Sequence, residues 1–342
     1  MKPTRRLRYS GTHPKKFHEK YKELDPQKYP EDVNKIISSG KTPAGMHRCV
    51  MLNEVIETLC LKPGQVGLDC TLGYGGHAQE LLQRIIPKGR LYAMDVDPVE
   101  IKRTTERLRD LGYNDKVFIP VHSNFAGAIK LLNLVQRGFD FILADLGVSS
   151  MQLDDPKRGF TFKADAPLDL RLNQASGQTA AELIRKLHEK RLYSILKENS
   201  DEPYAQPIAR AIFHARNNIN TTTELAQIVA YALGAKSIKD ASNTVKDSIR
   251  RTFQALRIEL NEEFSALGQL LRDLPMLLKK GGKAVIITFH SGEDLRVINN
   301  FEKGFISGIY NDFSRKRIRP SANEQYDNSR CRSALLRWVI KK

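Results

Sequence analysis

Long apolar runs are missing from this 342-residue chain, so no segment reads as a transmembrane helix of about 18 or more apolar residues. Nothing apolar follows the opening Met-Lys-Pro-Thr-Arg-Arg, and no secretory leader is expected. Cysteine is scarce. Cys49, Cys60, Cys70 and Cys331 form no Cys-x-x-Cys pair and stand at no metal-ligand spacing, which excludes a disulfide framework and argues against a bound metal. The thiols read as reduced, in a cytoplasmic protein. Internal repeats and low-complexity tracts are also absent. What is present is a 41% hydrophobic chain, long enough for one large or two ordinary domains with a sizeable core.

Acidic residues fall well short of basic ones. The net charge is +16, a balance that points to a polyanionic partner. The excess sits at the ends. Residues 1–22 hold eight Lys/Arg against Glu19, and residues 315–342 hold nine against Glu324 and Asp327. Tyr9, Phe17 and Tyr21 interleave with the N-terminal charge, a pattern that suits RNA through stacking as well as phosphate neutralisation. A pair of solvated tails is the plainer alternative.

The most informative stretch is Asp69-Cys-Thr-Leu-Gly73-Tyr-Gly75-Gly76-His77, followed by Ala93-Met-Asp95-Val-Asp97. A strand, a glycine turn, a helix and a second strand ending in an acid make a nucleoside half-site. The glycines admit close backbone approach, and Asp95 can accept from ribose hydroxyls. Gly73-x-Gly75-x-x-Ala78 formally fits the dinucleotide fingerprint. Asp69 argues the other way, because a carboxylate there would repel a pyrophosphate on the helix N-terminus. S-adenosylmethionine carries an ammonium and a sulfonium, which a carboxylate attracts. NAD remains the competing ligand at this point, and an unliganded βα turn the plainest reading.

The pattern along the chain predicts a helix over 52–61, strands over 66–68, 91–94, 117–121 and 139–146, and helices between them over 78–86, 98–111 and 126–134. That alternation predicts a parallel sheet covered on both faces. After Leu153 it stops. Helices are expected over 180–187, 205–216 and 223–233, in an inserted helical domain. Apolar residues from Phe253 to Leu274 recur at three and four, predicting one long helix on the sheet over 252–278, ended by Lys279-Lys-Gly-Gly282. Strands follow over 283–289 and 333–340, the last antiparallel at or near the edge. Ligands in such sheets sit at the carboxyl ends of the strands. Asp69, Gly75, Asp95, Phe125, Asp145 and His290 should therefore share one crevice, with Phe125 as an apolar face for adenine.

Asp145-Leu-Gly-Val-Ser-Ser-Met-Gln-Leu-Asp154, Arg158-Gly-Phe-Thr-Phe162 and Pro167-Leu-Asp-Leu-Arg171 strongly resemble the RsmH (MraW) family. So do Arg251-Thr-Phe-Gln-Ala-Leu-Arg-Ile258, Phe289-His-Ser291 and Arg330-Cys-Arg-Ser333. The resemblance runs from about His47 to Trp338. It implies a Rossmann-like α/β fold of the class I S-adenosylmethionine-dependent methyltransferases with an inserted all-helical domain. It also implies methylation of the N4 amine of a decoding-region cytosine in 16S rRNA of the small ribosomal subunit. Carried onto this chain, the cofactor contacts would be Gly75, Gly76, His77, Asp95, Phe125, Asp145 and Gln152. The domains would be a basic arm over 1–46, a methyltransferase domain over 47–153 and 249–342, and a helical substrate-recognition domain over 154–248. The chain departs from the family pattern at His47-Arg-Cys-Val-Met51, at Lys246-Asp-Ser-Ile249, at Gly292, and in its added arm. Another RNA or a ribosomal protein is the alternative acceptor. The sequence leaves oligomeric state open, a homodimer included.

An exocyclic amine conjugated to a ring is a poor nucleophile and needs an acceptor for its N–H. Asp145, after strand four, holds the position for that catalytic role, with cofactor binding alone as the competing reading. His77 reads equally as a ligand contact or a packed ring. Arg158, Arg171 and Arg210 are candidate phosphate contacts, and His290 a candidate base contact. Base flipping is the expected route of the target into the site.

Overall fold

The computed structural model describes residues 49–342; the basic arm expected over 1–46 lies outside the described residues. Helix α1 (Leu52–Leu59) leads into β1 (Val66–Asp69), α2 (Gly76–Ile85), β2 (Arg90–Asp95), α3 (Pro98–Asp110) and β3 (Phe118–His122). The helix expected over 126–134 is instead a 3-10 stretch, Phe125–Asn133, before β4 (Phe139–Asp145). Its tighter winding is started by the Asn124 side chain, which accepts from Ala126 N.

Strands β3, β2, β1, β4 and β5 (Leu278–Thr288) are parallel neighbours in that order. The chain winds outward from β1 in one direction to β3 and then restarts at β4, so β1 and β4 flank the reversal of strand order. Asp69 and Asp145 end those two strands. Period-two alternation splits the core in two. Leu68, Ile142, Ala144 and Ile286 face one side, and Phe141, Leu143, Val285 and Ile287 the other, against α1 and α2. Gly67 in β1 is required by this packing, because any Cβ there would sit inside the Phe141 ring. The last strand, β7 (Leu335–Lys341), is antiparallel to β5 and lies one strand in from the edge, as expected. β6 (Tyr310–Phe313) lies outside it, and neither β6 nor α11 (Ser291–Ile306) was anticipated from the sequence.

Between β4 and β5 come α4 (Ser150–Asp154), α5 (Ala180–Lys186), α6 (Glu189–Ser200), α7 (Ala205–Ala215), α8 (Thr222–Ala232), α9 (Asn243–Leu260) and α10 (Glu263–Leu277). Thr179 with Glu182, and Thr221 with Glu224, form capping boxes that start α5 and α8. Leu192, Leu196, Ile208, Ile212, Leu225 and Val229 meet in a core separate from the sheet's. The single helix expected over 252–278 is two helices. Phe253 and Leu256 belong to the helical core, whereas Leu267, Leu271 and Leu274 lie on the sheet. The break falls at Asn261 and Glu262, where Glu262 adopts φ 52°. The Asn261 amide donates to Leu170 O at 2.8 Å, and its carbonyl accepts from Leu172 N at 2.8 Å. Arg257 then clamps the joint, its guanidinium meeting both oxygens of Glu263 at 2.7 and 2.9 Å. The Lys279–Gly282 run belongs to β5, since α10 already ends at Leu277. Among the described residues no helix is long and apolar enough to cross a membrane, and no cluster of His, Cys, Asp and Glu is arranged for a metal ion.

Candidate active site

The glycine turn after β1 is built by backbone constraint. Leu72 N donates to Met94 O and Gly75 N to Leu72 O, at 2.8 and 2.7 Å. Gly75 has φ 75°, and a Cβ on it would lie 2.5 Å from Thr104 Cγ2. Helix α3 pins the turn from outside. Thr104 Oγ1 donates to Gly73 O at 2.6 Å, while Arg107 stacks over the Tyr74 ring and donates to Tyr74 O. Gly76 packs against Cys49 Sγ with no room for a side chain.

Three carboxyls surround this turn. Asp69 is fully buried; its Oδ1 accepts from Thr71 N at 3.0 Å and its Oδ2 has no hydrogen-bond partner. Burial pushes its pKa up to about 7, with the Thr71 amide opposing and the Asp95 charge adding. Asp95 accepts from Gly73 N at 2.7 Å and Asp97 N at 2.8 Å, one on each oxygen. Burial also raises its pKa, against those two amides. Each of its oxygens retains a lone pair for a ribose hydroxyl. Asp145 is oriented by its own amide, which donates to Thr71 Oγ1 at 2.7 Å. Its Oδ1 has no partner, and burial, reinforced by the charges of Asp69, Glu293 and Glu324, holds its carboxyl well above the usual range.

His77 stands 3.7 Å from Asp145, measured from Nδ1 to Oδ2. This is not an ion pair. Burial lowers the imidazole pKa to about 4, so the ring is neutral. Its Nε2 lies 3.0 Å from Val50 O, which only accepts, so Nε2 carries the hydrogen and Nδ1 presents a lone pair to the carboxyl. Asp69 Oδ2 and Asp145 Oδ1 are thus two buried carboxyl oxygens without partners, with the His77 Nδ1 lone pair beside the second carboxyl. A cation or a donor-rich ligand satisfies such a set; a pyrophosphate does not. The residues present therefore fit an ammonium- and sulfonium-bearing nucleoside.

Several expected residues stand elsewhere. Phe125 opens the 3-10 stretch three residues after β3 and is half-buried against the sheet core. Gln152 is buried with both ends engaged. Its amide donates to Asp97 Oδ2 at 3.0 Å and its carbonyl accepts from Ser149 N at 3.0 Å. Arg158, expected to meet phosphate, is 6% exposed. It donates to the Asp97 carboxylate and, at 2.9 Å, to Leu172 O, which gives it a structural role instead. Arg171, also expected on phosphate, grips both oxygens of Asp169 at 2.8 Å each and donates to Gly177 O, locking its own loop. Arg210 stays two-thirds exposed on α7, 3.8 Å from Glu189, with its guanidinium largely in water.

His290 caps α11 just beyond β5, its Nε2 3.2 Å from Glu293 Oε1 without hydrogen-bond alignment and its ring against Phe264. Burial would raise Glu293, but the His290 imidazole, the Phe289 amide and Arg257 outweigh it and hold the carboxyl low. Sequence reasoning gave no role to Asp97, Thr71 or Glu293. Asp97 did carry a signal, since an Asp immediately before Pro98 is a helix start, and it caps α3.

The MraW methylase family model matches residues 44–342. The chain is 48% identical over 340 residues to "Ribosomal RNA small subunit methyltransferase H 1" of Agathobacter rectalis, covering 98% of this chain and 97% of that one. It is 48% identical over 343 residues to "Ribosomal RNA small subunit methyltransferase H 2" of Alkaliphilus metalliredigens, covering 99% and 98%. "Ribosomal RNA small subunit methyltransferase H" of Clostridium botulinum is 38% identical and covers 86% of this chain. The two relatives at 48% span almost the whole chain, so the basic N-terminal segment falls within those alignments.

Proposed function

We propose, for a chain that belongs to the MraW methylase family and is an S-adenosylmethionine-dependent methyltransferase, that its acceptor is the N4 amine of a decoding-region cytosine in 16S rRNA of the small ribosomal subunit. The observation that carries this reading is the pair of unpartnered carboxyl oxygens on Asp69 and Asp145, beside neutral His77, where strand order reverses. S-adenosylmethionine, when bound, supplies an electrophilic methyl group. In this reading the turn from Gly73 to Gly76 gives close backbone approach, Asp95 holds the ribose, Phe125 covers the adenine, and Asp69 with His77 answers the positive end. Gln152 acts on the same site through Asp97.

Asp145 receives the amine. Its unpartnered Oδ1 accepts one N–H, which concentrates electron density on nitrogen and turns the lone pair out of conjugation. The amine gains a methyl group and must lose a proton, and a carboxyl whose pKa is raised by burial retains that proton well. Positioning supplies much of the remaining rate. The helical core between β4 and β5 is the proposed RNA reader, with exposed Arg210 as one phosphate contact and His290 as a base contact. The basic ends of the chain suit a polyanion, and the cytoplasm, where ribosomal subunits assemble, is the proposed location.

Small subunits lacking the modification are incubated with methyl-labelled S-adenosylmethionine, and the label is mapped. Label on a decoding-region cytosine N4 is expected. Label on another RNA site or on a ribosomal protein would overturn the acceptor assignment. Asp145→Ala should abolish transfer; a rate above one-tenth of the unaltered enzyme's would remove Asp145 from the chemistry.

A further inference from the structure

Asp97 holds more than a helix cap requires. Capping α3 uses one oxygen, Oδ1, which accepts from Val99 N at 3.0 Å and Glu100 N at 3.5 Å. The other oxygen accepts from two side chains far along the sequence, Gln152 Nε2 at 3.0 Å and Arg158 Nη2. The carboxylate is 1% exposed. Its own amide donates to Asp95 Oδ1, and Asp95 Oδ2 holds Gly73 N. One aspartate thus touches the ribose-binding acid on one side and the entry to the helical core on the other.

The connection continues past Arg158. The guanidinium donates to Leu172 O at 2.9 Å and to Gln174 Oε1 at 3.3 Å. Gln174 donates to Asp169 Oδ2, the acid that fixes Arg171. Leu172 N is held by Asn261 at the joint between α9 and α10. Arg158 Nε is buried without a partner, so the guanidinium has a donor left over for a second seating. A charged pair inside a nearly dry site is sensitive to small displacement, because its attraction is weakly screened there.

We infer that Asp97 is a positioning residue that couples the cofactor site to the RNA-reading helices through Arg158, so that cofactor and RNA bind cooperatively. The inference rests on the proposed RNA substrate. When Asp95 is drawn onto a ribose, Asp97 moves with it by way of its amide, and Arg158 transmits that shift to Leu172 and Gln174. Coupling of this kind is reciprocal.

The test measures affinity for unmethylated small subunits with and without saturating S-adenosylhomocysteine, and S-adenosylhomocysteine affinity alone by calorimetry. The unaltered protein should bind subunits at least about fivefold more tightly with the cofactor product present. Removing one member of the buried pair strands the other, so the pair is neutralised together as Asp97→Asn with Arg158→Met. Gln174→Ala is the second variant, since its side chain is only half-buried and its loss leaves the pair intact. Each should bring the enhancement below twofold, and in Gln174→Ala, which leaves Asp97 and its contacts to the cofactor site intact, S-adenosylhomocysteine affinity without RNA should change by less than threefold. An enhancement retained in Gln174→Ala and in the double variant, or none in the unaltered protein, would overturn the coupling. A merely structural role would weaken both ligands and leave their ratio as it was. Failure of the unaltered protein to bind subunits at all would overturn the RNA reading as well.

Discussion

Replacing Asp69 by Asn should make the ligand-free protein more stable above neutrality and worse at holding its cofactor. Folding carries this carboxyl from an ordinary value of 3.8 to about 7, chiefly by burial. Between those values the folded state keeps a proton that the unfolded state has released. The associated stability is fully present below the unfolded value and is lost as pH rises to about 7. A rise of that size amounts to about 4 kcal/mol once the pH exceeds the folded value. Asn does not titrate, and its side-chain carbonyl can still accept from Thr71 N. Its amide hydrogens meet the side of the carboxyl where Oδ2 has no partner, a fixed penalty of about 1–3 kcal/mol. That penalty cancels when the variant's relative stability at pH 8 is compared with pH 5. The difference should be about 2–3 kcal/mol in favour of Asn at the higher pH. Urea unfolding of both proteins across that range reads it directly. Calorimetry at pH 8 should show S-adenosylmethionine affinity down about tenfold or more, equal to about 1.4 kcal/mol, for want of a carboxylate opposite a cation. Parallel pH profiles for the two proteins, or unchanged affinity, would refute the argument that the site stores an unpaired acid for its ligand.

Other outcomes follow from the same geometry. Gly75→Ala meets Thr104 Cγ2 and a φ of 75°, so cofactor binding should become undetectable by calorimetry while the far-ultraviolet spectrum is retained; near-normal binding would contradict the turn geometry. Gly67→Ala forces the Phe141 ring out of the core and should destabilise by about 1–3 kcal/mol in urea unfolding, as overpacking does. Cofactor binding at pH 6 should release a proton, because a cation favours the ionised forms of Asp69 and Asp145. Calorimetry in two buffers of different ionisation enthalpy measures this, and zero release would count against both acids. Asp145→Asn keeps the shape but not the base, and should slow transfer at least tenfold in single-turnover assays; an unchanged rate would assign Asp145 to binding alone.

The parallel sheet was readable because strands buried on both faces give continuous apolar runs, as in Phe139–Asp145, and because glycines and acids mark their ends. Asp69, Asp95 and Asp145 were placed correctly at those ends for the same reason. The break between α9 and α10 was not readable. Apolar spacing of three and four runs straight through Leu260 and Phe264, and the interruption is imposed by Asn261 bonding to residues about ninety positions earlier. Nor does Glu262 advertise a left-handed conformation as a glycine would. Arg158 and Arg171 were misread in the same way. An arginine in a loop looks available for phosphate until the fold brings Asp97, 61 residues away, against Arg158, while Arg171 turns back onto Asp169 two residues before it. The tautomer of His77 likewise depends on Val50 O, a backbone partner that no side-chain pattern encodes.

Asn261 binds Leu170 O and Leu172 N at once, so the chain entering the helical core is buttoned to the chain leaving it. Such a neck makes the enclosed helices a cassette. Lineages could exchange or lengthen them without disturbing the strands on either side, provided this one amide kept its grip, and substrate range could then diversify while the methyl-donor machinery stayed fixed.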